Sequence, residues 1–265
     1  MPRKSQSFSL ISYLNWQRTP VESIRFKALD REIRWLIGYS IFYVFAGYPI
    51  GLVILHHPYP ILGATQFVQD VWYSIVYKFI LLLLVPFFVF FVSWGYRSKD
   101  LLLRIQPTLS NVGAGLLFIL LGFFLNAGHI RPIQENFFLF EDSILLLVTG
   151  VMMPLFIAAL PEELFFRGYL QTRLEKKWNR FSAILISTLL FTVWHLPTRY
   201  LLSDGVEGQA GDWEGILLNT GLPVFIIGLL FAMHWSRYRN IILLILVHWA
   251  IDILPSVSSY FKIQF

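Results

Sequence analysis

The chain has 265 residues, 56% of them hydrophobic and 14% charged, with a formal net charge of +5. Soluble domains carry roughly 25% charged residues, so this composition excludes an ordinary water-facing surface. The scattering of Lys and Arg in short segments between apolar runs excludes the one-sided basic face of a nucleic-acid binder, and the lack of cysteine excludes disulfides, thiolate metal sites and cysteine nucleophiles.

Residues 1–34 read as a basic cytoplasmic segment, within which 20–34 fits either an amphipathic helix on an anionic leaflet or a solvated tail. The first apolar run begins at Trp35, too far along for a signal peptide, and is expected to persist as a span. Crossing a bilayer takes about 20 apolar residues in a helix. Seven runs approach that length: 35–55, 71–95, 109–129, 143–169, 181–202, 214–235 and 240–257. The fourth carries Pro154 and Pro161, which predict a bent or tilted helix. The seventh is the shortest and is followed by Pro255 and a Ser-rich tail. The expected fold is therefore an all-α polytopic transmembrane bundle of about seven helices, with residues 35–265 as one transmembrane domain.

The connections set the orientation. Residues 1–34 hold Arg3, Lys4, Arg18, Arg25, Lys27, Arg31 and Arg34; 96–108 hold Arg97, Lys99 and Arg104; 170–180 hold Arg173, Lys176, Lys177 and Arg180; 236–240 hold Arg237 and Arg239. The alternate connections offer only Arg131, Arg199 and, in the tail, Lys262. Positive charge stays inside, so the N-terminus is expected in the cytoplasm and the C-terminus outward. An even number of spans would break this alternation.

Ionisable side chains inside a bilayer are costly and mark function or a structural pair. Lys78 lies near the outer end of its run and reads as a snorkelling, mainly structural residue. The remaining exceptions fall in three places: Glu162, Glu163 and Arg167 in the fourth span, His195 four residues after Phe191 in the fifth, and His248 and Asp252 in the seventh. Glu163/Arg167, Phe191/His195 and His248/Asp252 each have the i,i+4 spacing that puts both members on one helix face. At about 1.5 Å rise per residue, Glu162 and His248 lie roughly 10–15 Å from the cytoplasmic ends of their spans and His195 roughly 20 Å from its own. The three patches can meet within the membrane although their helices run in opposite directions.

Glu163 and Arg167 can neutralise one another, which leaves Glu162 without a dedicated cation and makes it the candidate general base for water. His195 would share the proton or hold the water, while His248 and Asp252 would stabilise an oxyanion or help to bind a metal. Phe191 serves equally as packing or as a wall facing substrate. His129 and His234 at span ends, and His56 and His57 before Pro58, read as bland; Trp72, Trp94, Trp213 and Trp235 suit interfacial belts. No HExxH, GxSxG or phosphate-loop pattern occurs.

The ordered set Glu162-Glu163-Leu-Phe-Phe-Arg167, Phe191 to His195, and His248 to Asp252 resembles the EExxxR, FxxxH and HxxxN/D pattern of the CPBP family (Abi, or type II CAAX-protease) of membrane peptidases. The resemblance covers roughly residues 143–255. It implies hydrolysis of a membrane-associated peptide or protein in a cavity within the bilayer. Glu162 would activate water with His195, His248 and Asp252 would line the site, and Glu163 and Arg167 would brace it, with no nucleic-acid partner. The prenyl-protease branch has Asn at the position of Asp252, where an amide donates to an oxyanion. An ionised Asp252 cannot, so it would instead be protonated, orient His248 or contact a metal. Glu162, His195 and His248 would also supply the two-His, one-Glu set of some zinc sites, and a metal-free glutamate mechanism uses the same side chains. The rival readings are a non-catalytic membrane scaffold or bacteriocin-immunity-type protein keeping the fold, and a proton-coupled transporter. The latter lacks its usual inverted repeat here.

Overall fold

In the computed structural model, residues 26–55, 71–101, 109–139, 141–202 and 210–262 are described. The basic residues Arg3, Lys4, Arg18, Arg25 and Arg104, and the histidines His56 and His57, lie outside them. The elements are α1 (Leu29–Ile54), α2 (Val71–Ser93), α3 (Asn111–Leu125), α4 (Ala127–Asn136), α5 (Ser143–Lys177), α6 (Arg180–Leu201), α7 (Trp213–Tyr238) and α8 (Ile241–Phe261). Six of these helices are individually long and apolar enough to cross a membrane, and α3 with α4 forms a pair bent by 53°, giving up to seven spans. All regular structure among the described residues is helical, and the outward faces are apolar, with Phe45, Phe124 and Phe181 among many exposed rings. The protein is an integral, multi-pass membrane protein with an all-α bundle fold.

α1 begins at Leu29, ahead of the expected start at Trp35. Two acids make this possible. Asp30 sits in the first turn, where the helix dipole favours negative charge, and pairs with Lys177 at 2.7 Å. Glu32 is fully buried, accepting from Arg173 Nε at 2.8 Å and from the Tyr96 hydroxyl at 2.6 Å. Residues 29–34 are thus continuous with the first candidate span.

α5 runs unbroken through Pro154 and Pro161 to Lys177. Proline lacks the N–H that the carbonyl four residues back requires, and a wider turn lets a following N–H serve it. The helix accordingly takes the i→i+5 register at Leu155–Ala159, directly after Pro154, and again at Glu163–Gln171. The extension beyond residue 169 buries groups expected in a loop. Arg173 lies over the Phe90 ring at 4.4 Å, and Glu175 is ion-paired with Arg239 of the turn between α7 and α8. Trp235, expected at an interface, is fully buried and donates to Thr172 Oγ1 at 3.0 Å.

α8 packs against α5 and α3, α6 against α7 and α1, and α2 against α1 and the middle of α5. Gly150 of α5 is needed for the first of these contacts, since a Cβ there would lie 2.7 Å from Val257 Cα. The last expected span is sound: α8 continues through Pro255 to Phe261.

Candidate active site

Glu162 and Glu163 occupy the turn of α5 that follows Pro161, and both are buried. Their surroundings differ. Glu163 Oε1 accepts from His248 Nδ1 at 2.8 Å and lies 3.2 Å from the Arg167 guanidinium. Arg167 also donates to the carbonyl of Gly228 at 3.2 Å and stacks on Phe191 at 4.1 Å. A glycine is required at 228, because a Cβ there would meet Phe191 Cδ1 at 2.8 Å.

Glu162 has its polar neighbours one step further away. Oε2 lies 3.6 Å from His248 Nε2 and 3.9 Å from His195 Nε2, and Oε1 lies 3.8 Å from Lys78 Nζ. Among the described residues no protein donor reaches hydrogen-bond distance of either oxygen. His195 is fixed from behind by the bond between Nδ1 and the Phe191 carbonyl, 2.7 Å. A carbonyl oxygen only accepts, so Nδ1 carries the proton and Nε2 presents its lone pair toward Glu162. Its ring lies against Trp194, with centroids 4.1 Å apart.

His248 is flanked by acids on both sides, Glu163 at Nδ1 and Asp252 Oδ2 at 3.2 Å from Nε2. The Asp252 side chain is 34% exposed and that of Lys78 16%, against 1% for Glu162. The carboxylate is thus buried more deeply than its two partly exposed neighbours, Asp252 and Lys78. Phe191 is 2% exposed and serves as packing beneath Arg167 and His195.

All seven residues singled out in the motifs meet here. The sequence missed Lys78. It does not snorkel away from the bundle but turns inward, over the Trp194 ring at 5.1 Å and toward Glu162. Glu162 therefore has a cation beside it, contrary to expectation. The available signal was its place about 10 Å inside an otherwise uncharged run. Trp194, the residue before His195, was likewise overlooked although it supports both Lys78 and that histidine.

Two histidines and a glutamate form a zinc-type donor set, with His248 Nε2 and His195 Nε2 at 3.6 and 3.9 Å from Glu162 Oε2. Both ring nitrogens of His248 face carboxylates. Among the described residues no group of three or more His, Asp and Glu is disposed to hold an ion.

A family model described as type II CAAX prenyl endopeptidase Rce1-like matches residues 142–254. The match takes in the motifs on α5, α6 and α8 and leaves out α1 to α4. No curated protein and no solved structure matches the chain. The match over residues 142–254, which carry the glutamate pair and two late histidines, supports the resemblance to the CAAX protease-like (CPBP) family.

Proposed function

We propose that this protein is an intramembrane endopeptidase that hydrolyses a peptide bond of a membrane-associated peptide or protein, with Glu162 as the base for water. The observation that carries the proposal is the approach of two imidazole Nε2 atoms to one oxygen of a buried carboxylate, at 3.6 and 3.9 Å. Such separations exceed a hydrogen bond and suit a water held between polar groups.

In this reading Glu162 takes a proton from water as the water oxygen attacks the scissile carbonyl carbon. His195 Nε2, with its lone pair inward, takes a hydrogen bond first from the water and then from protonated Glu162. Glu162 passes the proton to the amide nitrogen as the C–N bond breaks. His248, held by Glu163 at Nδ1 and Asp252 at Nε2, stands between two carboxylates and keeps them apart. Asp252 orients that ring, a role an acceptor can fill. Glu163 and Arg167 position His248 and Phe191 and so act through them.

The same reading assigns the N-terminus to the cytoplasm and the C-terminus to the outer side. The basic ends of α1, α5 and α7 support it, because they gather at one end of the bundle through Asp30–Lys177, Glu32–Arg173 and Glu175–Arg239.

The test compares membrane peptides by mass spectrometry from cells carrying wild-type protein or Glu162→Gln. Peptides that accumulate with the variant, and that purified wild-type protein cleaves, identify the substrate. Identical peptide sets, or turnover by purified Glu162→Gln, overturn the proposal and favour a scaffold.

A further inference from the structure

Hydrolysis at Glu162 would leave a negative charge on the former carbonyl oxygen, and a buried site must present a donor to it. The motif residues are poorly suited to this. His195 presents a lone pair toward the site, because its Nδ1 proton is held by the Phe191 carbonyl at 2.7 Å. His248 faces Glu163 with one nitrogen, at 2.8 Å, and Asp252 with the other, at 3.2 Å. Arg167 is fully buried behind Glu163. Asp252, as a carboxylate, only accepts.

Lys78 is the cation that reaches the other side of Glu162. Its Nζ lies 3.8 Å from Oε1, opposite the oxygen that faces the two imidazoles, and it carries three N–H donors. The ammonium rests over the Trp194 ring at 5.1 Å, and its side chain is 16% exposed. α2 packs directly on the Leu160–Glu162 turn of α5, which fixes the approach.

We propose that Lys78 is a catalytic residue, supplied by a helix outside the family-matched segment, whose ammonium donates a hydrogen bond to the oxyanion of the tetrahedral intermediate. The inference rests on Glu162 acting as the base. Water oxygen bonds to the carbonyl carbon, its proton passes to Glu162, and the carbonyl π pair moves to oxygen, where Lys78 N–H meets it. On collapse that pair re-forms the C=O bond, the C–N bond breaks, and the nitrogen takes the proton from Glu162. Lys78 keeps its proton throughout.

The chain has no cysteine, so a Lys78→Cys variant carries a single thiol that can be alkylated with three reagents. Bromoethylamine restores a charged donor, iodoacetamide supplies a neutral amide donor, and methyl methanethiosulfonate gives neither. The probe is a quenched synthetic copy of a peptide that accumulates in Glu162→Gln membranes, and complete modification is checked by intact mass. Lys78→Cys should lose about 10²–10³-fold in kcat with KM changed less than about 3-fold. Aminoethylation should recover the most, carbamidomethylation an intermediate rate, and methylthiolation none. Recovery also proves that the inactive variant was folded.

Equal rates for the amide and methylthio adducts would mean that Lys78 serves only as a counter-charge, and the inference would be wrong. So would a loss confined to KM, near-wild-type turnover by Lys78→Cys, or no recovery after full aminoethylation. If wild-type and Glu162→Gln membranes do not differ, the peptidase reading itself falls and takes this step with it. If Glu162→Gln is inactive while Lys78→Cys is not, only the present inference falls.

Discussion

Removing Glu163 should destabilise the protein severely, and removing its partner as well should largely repair the damage without restoring function. Glu163 Oε1 lies 3.2 Å from the Arg167 guanidinium with both side chains fully buried. At an effective dielectric of about 20, two unit charges at that distance attract by about 5 kcal/mol. Deleting one partner of such a pair leaves the other buried and uncompensated, which costs about 3–5 kcal/mol. At about 2–4 °C per kcal/mol, Glu163→Ala should lower Tm in detergent by about 10 °C. Arg167→Met should do likewise, because Glu163 would then face only His248. The double variant has no stranded charge, and replacing a whole buried pair by apolar groups is often near neutral. It should therefore recover most of the loss, with a coupling energy of about 3 kcal/mol in the double-mutant cycle. Peptide cleavage should stay low in all three, since His248 Nδ1 loses its 2.8 Å acceptor in both Glu163 variants and Arg167→Met removes the support beneath Phe191. Additive losses in the cycle would refute the assignment of this pair as a mutually dependent brace.

Three further outcomes follow from particular contacts. Gly228→Ala, which on an exposed helix would stabilise by about 1 kcal/mol, should here cost about 1–3 kcal/mol. The new Cβ meets Phe191 at 2.8 Å, and a Tm equal to or above wild type would contradict that. Glu162→Gln should leave Tm unchanged or raised, while Glu163→Gln lowers it, and equal losses in the two would show that both acids are structural. The Tyr96 phenol, buried and donating to Glu32, is pushed up to about 12. Because the folded value exceeds the ordinary one near 10, its contribution to stability is complete below about pH 10 and lost as pH rises toward 12. The absorbance difference between wild type and Tyr96→Phe should thus titrate near pH 12, and a step near pH 10 would sink this reading.

The helices and the site motifs were legible because a bilayer penalises polar groups so strongly that each survivor stands out. Glu162, Glu163, Arg167, His195, His248 and Asp252 interrupt otherwise apolar runs at i,i+4 spacing, and the structure brings them within reach of one another. What could not be read depends on contacts between helices. Lys78 as a single letter fits a snorkelling residue or an inward one equally well; only the packing of α2 on the Pro161 turn decides. Arg173 and Arg239 counted as loop cations, yet each meets an acid supplied by a distant segment, Glu32 and Glu175. Trp235 reads as an interfacial belt residue until its partner, Thr172, is known. The 53° break between α3 and α4 has no proline at Asn126 to announce it. There the side-chain amide donates to the Ile251 carbonyl at 3.1 Å, another long-range contact.

The two adjacent glutamates show how one residue type serves opposite ends. Interhelical hydrogen bonds are a main source of cohesion where lipid supplies no hydrophobic drive between helices. Glu163 takes that part, tying α5 to α8 through His248 and holding Arg167 against α7. Glu162, one position along, points to the other side of the turn, where its three polar neighbours stop at 3.6–3.9 Å. Holding a buried carboxylate short of any direct protein donor costs about 1–3 kcal/mol, a loss that the neighbouring Glu163 can offset through its bond to His248 and its ion pair with Arg167. Had Lys78 or either histidine closed by another 0.8 Å, the acid would be bonded as firmly as Glu163 and would have no room for a reacting molecule. The reactivity proposed for Glu162 thus depends on the rigidity of its neighbour. Glu163 fixes one imidazole, and Phe191, seated on Arg167, fixes the other through its carbonyl, so neither ring can relax onto the carboxylate.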